Sequence, residues 1–110
     1  MTVQNQNLLP EGATNDMAGR ATEAAAYLKS LSHEGRLMIL CHLVSGEKSV
    51  GQLEGLLDLR QAAVSQMLAR LRDDRLVTPR RDGKTVFYQL ADTNTAQVIG
   101  LLHSLFCGDD

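Results

Sequence analysis

The sequence has no tryptophan, only two cysteines and two prolines, and no uninterrupted apolar run of the length that crosses a bilayer. Two cysteines are too few for a disulfide-rich secreted scaffold or for a four-cysteine zinc site. A transmembrane helix would need about 20 apolar residues, so none is expected. The N-terminal residues lack a basic stretch followed by an apolar one. No signal peptide is therefore expected, and the cytoplasm is the predicted location.

Catalytic and cofactor-binding motifs are missing as well. We find no nucleophile beside a base, no cluster of metal ligands and no glycine-rich phosphate loop. We therefore expect neither an enzyme nor a bound cofactor. The 110 residues are enough for one domain. Residues 1–15 are polar and include Pro10 and Gly12, which predicts a disordered tail, and residues 16–110 are predicted to form the folded domain.

Positive charge is concentrated in one segment of the chain. The net charge is −2, but residues 60–84 hold seven basic and three acidic residues. Residues 1–59 hold four basic and seven acidic residues, and residues 85–110 have no lysine or arginine. A basic patch on an acidic body is typical of a surface that binds a phosphate backbone. A solvated charged face is the alternative interpretation.

The segment from Ser49 to Arg72 predicts two helices joined by a tight turn at residues 58–60. Ser49 is a good N-cap, because its hydroxyl can accept hydrogen bonds from the free amides of the first turn. Apolar residues recur at helical spacing in both helices: Val50, Leu53 and Leu57, then Val64, Met67, Leu68 and Leu71. The opposite face of the second helix suits a DNA major groove, with Ala62, Ser65, Gln66, Ala69 and Arg70. A plain helical hairpin with a solvated face is the alternative.

Two β-rich runs follow, and Asp82-Gly83 lies between them. Asp-Gly favours a tight hairpin turn, because both residues tolerate a positive φ. The tip of this hairpin is basic, with Arg80, Arg81 and Lys84. A basic hairpin directly after a helix-turn-helix is a wing. It places a second charged element beside the first, which strengthens the prediction of DNA binding.

Two helices are predicted before this segment. The first is capped by Asp16 and ends near Ser30, and its alanine-rich stripe would let another helix approach closely. The second is capped by Ser32 and ended by Gly46. The apolar face of the second helix is predicted to consist of Leu37, Leu40, Cys41 and Val44.

The last predicted helix begins at Asp92 or Thr93 and ends near Cys107. Its apolar face is broad, because two stripes overlap on it: Val98, Leu102 and Leu105, and Ile99, Leu102 and Phe106. One neighbouring element cannot cover so broad a face in a small domain. We therefore expect this helix to pack against its symmetry mate and against the first helix, which makes the protein a homodimer.

Three segments resemble the ArsR/SmtB family of bacterial winged-helix repressors, namely LKSLSHEGRLMIL, SVGQLEGLLDLRQAAVSQMLARLRDDRLV and RRDGKTVFYQL. The similarity extends over about residues 20–107. It implies a mainly α, winged helix-turn-helix fold with a small β-hairpin, in the order four helices, hairpin and final helix. It also implies a homodimer that binds double-stranded operator DNA and releases it when an inducer binds.

The metal sites of this family have lost their ligands in this sequence. The thiolate site needs closely spaced cysteines on the third helix, and QLEGLLDL has none. The zinc site of the last helix keeps Asp92, but its other positions are Asn94, Leu105 and Gly108. One ligand cannot hold tetrahedral zinc, so no metal is expected.

Cys41 and Cys107 are the only cysteines, and their flanking sequences LMILCHLV and SLFC resemble those of the sulfide-responsive BigR/SqrR type of the family. This resemblance implies that a reactive sulfur species, a persulfide or polysulfide, is the inducer and joins the two thiols through a disulfide or a polysulfide chain. Disulfides in a reducing cytoplasm are mostly transient and sensory, which fits that role. The alternatives are a general oxidant, a thiophilic metalloid or haem as inducer, or two buried and inert cysteines.

The sequence therefore predicts a homodimeric repressor that responds to persulfide through two thiols. Gln61, Ser65 and Gln66 are predicted to contact base edges, since amide and hydroxyl groups read donor and acceptor patterns. Five basic residues are predicted to contact phosphates or, at the wing tip, the minor groove, namely Arg60, Arg70, Arg80, Arg81 and Lys84. A winged-helix adaptor that binds protein instead of DNA is the other class of function.

Overall fold

The computed structural model describes residues 9–108. The elements follow in the order α1 (Ala13–Leu31), α2 (Glu34–Val44), β1 (Lys48–Ser49), α3 (Val50–Leu57), α4 (Gln61–Asp73), β2 (Val77–Asp82), β3 (Thr85–Leu90) and α5 (Thr93–Cys107). The strands form one antiparallel sheet in the order β1-β3-β2. This confirms the predicted mainly α, winged helix-turn-helix fold, with one strand more than the sequence indicated.

The additional strand is short. Lys48 and Ser49 of β1 pair with Tyr88 and Phe87 of β3. A strand of two residues carries too little alternation to be recognised in a sequence. Because β1 connects α2 to α3, the hairpin of β2 and β3 is hydrogen-bonded to the segment that enters the helix-turn-helix.

The helix-turn-helix forms as predicted. The Ser49 hydroxyl accepts from the Gln52 amide at 3.0 Å, and the Gln52 side chain accepts from the Ser49 amide at 2.7 Å, which is a capping box. Helix α3 ends at Asp58, which adopts a left-handed φ of 56°. In α4, Val64, Leu68 and Leu71 are fully buried and Met67 is half-buried.

The hydrophobic core lies where α2, α3, α4 and α5 meet the sheet. Its buried apolar side chains are Leu31, Ile39, Leu40, Leu43, Leu53, Val64, Leu68, Leu71, Leu76, Val77 and Ile99. Between residues 9 and 108, no helix combines the length and the apolar character that a membrane crossing requires.

The start of α1 differs from the prediction. The helix begins at Ala13 rather than at Asp16, and its N-cap is Gly12, which has a left-handed φ of 83°. The predicted disordered tail is therefore wrong for residues 13–15, while residues 1–8 of it lie outside the described residues.

The junction of α1 and α2 is also capped differently. The N-cap of α2 is His33 rather than Ser32, and the Nδ1 atom of its imidazole accepts from the Arg36 amide at 3.2 Å. The Ser32 hydroxyl donates to the Lys29 carbonyl at 3.1 Å, so this side chain closes α1 instead of opening α2. Ser32 and His33 can each cap a helix, and the sequence alone does not show which of the two is the N-cap of α2.

The apolar face of α2 is shifted relative to the prediction. Ile39, Leu40 and Leu43 are buried, whereas Val44 is exposed and Cys41 is half-buried. Several elements pack around α2, including α1, α3, α4 and α5. A helix covered from several sides buries positions outside one narrow stripe, so the predicted face was only partly right.

The hairpin turn lies one residue later than predicted. Asp82 pairs with Thr85, so the two turn residues are Gly83 and Lys84 rather than Asp82 and Gly83. Of these, Gly83 has the positive φ, 64°. A two-residue turn with glycine first still matches the right-handed twist of the strands.

Candidate functional site

The outer face of α4 presents the side chains predicted to contact bases. Gln61 is the first residue of the helix, and Ser65 and Gln66 lie on the side opposite the buried Val64 and Leu68. Gln61, Ser65 and Gln66 are all exposed. Their amide and hydroxyl groups are therefore accessible to a base edge in a major groove.

A cleft of about 370 Å³ lies between the N-terminal ends of α3 and α4 and the wing tip. Its lining includes Ser49, Gly51, Glu54, Gln61 and Lys84. Helix N-termini carry a partial positive charge and free N–H groups, which favours anions. The structure thus brings Gln61 and Lys84 together at a place that suits a phosphate, with Glu54 as the opposing charge.

The wing arginines have different environments. Arg80 lies across the sheet from Phe87, and its guanidinium carbon is 4.8 Å from the centre of that ring. The same guanidinium donates to Glu47 from Nη2 at 2.5 Å and from Nε at 3.1 Å, which holds the pKa of Glu47 below its usual value. Arg81 is the next residue on β2, so its side chain points to the other face of the sheet.

Arg70 also has a carboxylate neighbour. Its Nε donates to Asp74 at 2.7 Å, one turn later in the chain. Asp74 accepts from the Ser30 hydroxyl at 2.5 Å as well. The hydrogen bond from Ser30 lowers the pKa of Asp74 most, and Arg70 lowers it further. The Arg70–Asp74 and Arg80–Glu47 pairs are both exposed to solvent and therefore weak, so a DNA phosphate can replace either carboxylate.

The salt dependence of DNA binding is expected to separate Arg81 from Arg80. The Arg81→Ala variant should lower the slope of log affinity against log salt by about 1, because one phosphate keeps its counterions. The Arg80→Ala variant should change the slope less, since Glu47 binds a cation whenever Arg80 leaves it for a phosphate. Fluorescence anisotropy between about 50 and 300 mM salt measures both slopes.

Arg20→Ala is the matched control, because it removes one arginine from an exposed ion pair with Glu23 on α1. Its slope should equal that of the unchanged protein. Equal reductions for Arg80→Ala and Arg81→Ala would contradict the different roles assigned to the two wing arginines.

The two cysteines lie on helices that pack against each other. Cys41 is half-buried in α2, Cys107 is the exposed last residue of α5, and both thiols are free. Burial raises the pKa of the Cys41 thiol, and charge on Cys107 raises it further. Within residues 9–108, no group of three or more His, Cys, Asp or Glu side chains is arranged to hold a metal ion.

An apolar surface remains uncovered along α1 and α5. Leu101, Leu105 and Phe106 of α5 are 58%, 66% and 83% exposed, and Met17 and Leu28 of α1 are exposed too. Ile99 is buried and Val98 and Leu102 are half-buried, so the core takes only part of the broad face predicted for this helix. The Tyr27 and Thr95 hydroxyls, 2.8 Å apart, connect the two helices.

The sequence analysis did not predict the carboxylates that form ion pairs with Arg70 and Arg80. The spacing of Arg70 and Asp74, four residues apart on one helix, is a recognisable ion-pair signal. Glu47 has no such signal, because the pairing of β1, β3 and β2 alone brings it to Arg80. The same holds for Ser30, which reaches Asp74 from another helix.

Comparisons with known proteins find bacterial transcriptional regulators that are similar to this chain in sequence and fold. The sequence profile of the bacterial regulatory proteins of the arsR family matches residues 33–78. The chain is 47% identical over 94 residues to the biofilm growth-associated repressor of Agrobacterium fabrum, covering 86% of this chain and 80% of that protein. The crystal structure of the transcriptional repressor BigR from Xylella fastidiosa is similar, with a TM-score of 0.82 and 44% identity over 87% of this chain and 98% of that chain. Reduced HlyU from Vibrio cholerae has a TM-score of 0.78 and 46% identity, covering 84% and 97% of the two chains.

Proposed function

The chain belongs to the ArsR family of bacterial regulatory proteins, and we propose that it is a homodimeric repressor that leaves its operator when sulfur joins Cys41 to Cys107. Two of the similar proteins are named repressors, which supports the direction of regulation, while HlyU of Vibrio cholerae is named a transcriptional activator. The observation that carries the proposal is the packing of α2, which holds the half-buried Cys41, against α5, which ends at the exposed Cys107.

The difference in exposure sets the order of reaction. Cys107 is open to solvent and attacks first: its thiolate takes the outer sulfur of a persulfide RSSH, and RS⁻ leaves as RSH. Cys41 is half-buried and burial raises the pKa of its thiol, so Cys41 is the less reactive of the two and acts second. Attack of Cys41 on the Cys107 sulfur expels H₂S and closes a disulfide. No further oxidant is required, because the persulfide is reduced to RSH and H₂S.

A longer bridge forms when each cysteine first accepts one sulfur. Attack of one protein persulfide on the inner sulfur of the other expels H₂S and leaves a trisulfide, with two RSH as the other products. A disulfide needs Cα atoms within about 7 Å, whereas an added sulfur extends the reach of the bridge. The two cysteines can therefore respond to sulfane sulfur in preference to peroxide, because peroxide supplies no sulfur atom to lengthen the bridge.

In the dimer whose cysteines are not bridged, the wing and α4, which is the recognition helix, bind DNA. Gln61, Ser65 and Gln66 contact base edges, and Arg60, Arg81 and Lys84 contact phosphates directly. Arg70 and Arg80 join them after exchanging their carboxylates for phosphates. A sulfur bridge fixes α2 against α5, which changes the separation or mobility of the two recognition helices. The regulated genes then serve sulfide oxidation or persulfide disposal in the bacterial cytoplasm.

Intact-mass spectrometry combined with DNA binding tests this function. After treatment with glutathione persulfide, we expect a loss of two hydrogens, with or without added sulfur atoms, and a parallel loss of binding to the protein's own promoter. Parallel samples treated with hydrogen peroxide and with oxidised glutathione separate sulfane sulfur from general oxidants as the inducer.

Release of DNA without a bridged mass would contradict the dithiol mechanism. Failure of the reduced protein to bind any double-stranded fragment of its promoter would instead favour the protein-binding adaptor. If persulfide treatment leaves the protein unreacted and still bound to DNA, reactive sulfur is not the inducer.

A further inference from the structure

One polar junction connects three helices at the C-terminal end of α4. Asp74, the C-cap residue of α4, accepts from the Ser30 hydroxyl at 2.5 Å and from Arg70 Nε at 2.7 Å. Arg36 of α2 donates from Nε to the Ser30 carbonyl at 2.8 Å and from Nη2 to the Lys29 carbonyl at 3.2 Å. The last turn of α1, the first turn of α2 and the end of α4 are therefore joined in one network.

Ser30 is the connection between α1 and α4 in this network. It is 2% exposed, and among the side-chain hydrogen bonds of residues 9–108 its bond to Asp74 is the one that joins these two helices. The rest of α4 is positioned by apolar contacts of Val64, Leu68 and Leu71. Apolar contacts are not directional, whereas a hydrogen bond to a carboxylate fixes both distance and direction.

We propose that the hydrogen bond between Ser30 and Asp74 sets the position of the recognition helix relative to α1, and thereby the spacing of the two operator half-sites that the dimer accepts. This inference rests on the proposed function, in which α1 and α5 form the dimer interface and α4 enters the major groove. The interface lies at the two-fold axis, so any displacement of α4 from α1 is doubled between the two recognition helices.

The size of a base pair shows why this position matters. Half-sites one helical turn apart are about 34–36 Å apart over about 10–10.5 base pairs, so one base pair corresponds to about 3.4 Å. Adding or removing one base pair between the half-sites also rotates the second half-site around the DNA axis. A dimer whose recognition helices are held in place rejects such a change, whereas a dimer with a loosened α4 tolerates it.

The Ser30→Ala variant tests the proposal, because it removes the donor without changing charge. A palindromic site is first selected with unchanged protein from a pool of random double-stranded DNA. Binding is then measured on that site and on sites with one base pair inserted or removed at the centre. We expect the preference for the selected spacing to fall by at least about threefold in Ser30→Ala. A uniform loss of affinity, with the same preference among the three sites, would overturn the proposal.

Two further variants separate this role from a general loss of stability. Asp73→Ala is the matched control, because Asp73 is the neighbouring exposed carboxylate, and it should keep the spacing preference. Asp74→Ala removes the acceptor and should lose the preference, and combining it with Ser30→Ala should add little, since both remove the hydrogen bond between Ser30 and Asp74. Should Ser30→Ala fail to fold, as judged by circular dichroism, Asp74→Ala decides the outcome alone. If the unchanged protein selects no DNA, the proposed function fails and this inference fails with it, whereas an unchanged spacing preference in Ser30→Ala overturns this inference alone.

Discussion

Replacing Cys107 by serine is expected to abolish the response to persulfide while leaving operator binding intact. Cys107 is exposed at the end of α5 and belongs neither to the wing nor to α4, so its loss does not alter the surface proposed to bind DNA. Without it, no bridge to Cys41 can form. In the unchanged protein, bridging should weaken DNA binding by about 5- to 150-fold, the usual range of coupling between two sites. Fluorescence anisotropy with and without glutathione persulfide measures both values, and the variant should change less than about twofold.

Cys41→Ser provides the second half of this test. It should also ignore persulfide, although mass spectrometry should still find a sulfur added to its exposed Cys107. Ser104→Ala, one turn before Cys107 on α5, is the control and should respond fully. A complete response of Cys107→Ser would show that Cys41 acts alone or that another group senses the inducer.

The elements of the fold that depend on nearby residues could be predicted from the sequence. The capping box at Ser49, the break at Asp58 and the buried face of α4 each depend on residues within one or two helical turns. Asp92 caps α5 for the same reason, by accepting from the Asn94 amide at 2.9 Å. Ser32 and His33 are neighbours that can both cap a helix, and the prediction that Ser32 is the N-cap of α2 was wrong.

The contacts that organise the candidate site could not be predicted in this way. Glu47 reaches Arg80 because β1 joins the sheet, and that strand is two residues long. Ser30 reaches Asp74 because the C-terminal ends of α1 and α4 meet. Such pairs depend on packing between distant segments, and hydrophobic periodicity describes only one segment at a time.

The uncovered apolar surface links the fold to the proposed mechanism. Leu101 and Leu105 lie one turn apart on α5, and both are exposed together with Phe106. Large contiguous apolar patches are rare on monomeric proteins and usually mark an interaction surface. Cys107 follows Phe106 directly, so a bridge to Cys41 acts on the helix that is proposed to form the dimer interface. A second copy of the chain is therefore the proposed occupant of this surface.

Replacing Leu101 and Leu105 together by glutamate is expected to convert the dimer into a monomer and to weaken operator binding by about 100-fold or more. Two negative charges at the centre of the interface face the same charges on the second copy, and both lose water there. A monomer contacts one half-site, so it loses the effective-concentration gain of about 10² to 10⁴ that a linked second site supplies. Sedimentation equilibrium reports the oligomeric state and fluorescence anisotropy the affinity. Leu56→Glu, which places the same charge at an exposed leucine of α3, should remain dimeric. A dimeric Leu101→Glu/Leu105→Glu variant would show that the copies meet through another surface. In that case, a bridge at the end of α5 would have to act on the recognition helix within a single chain.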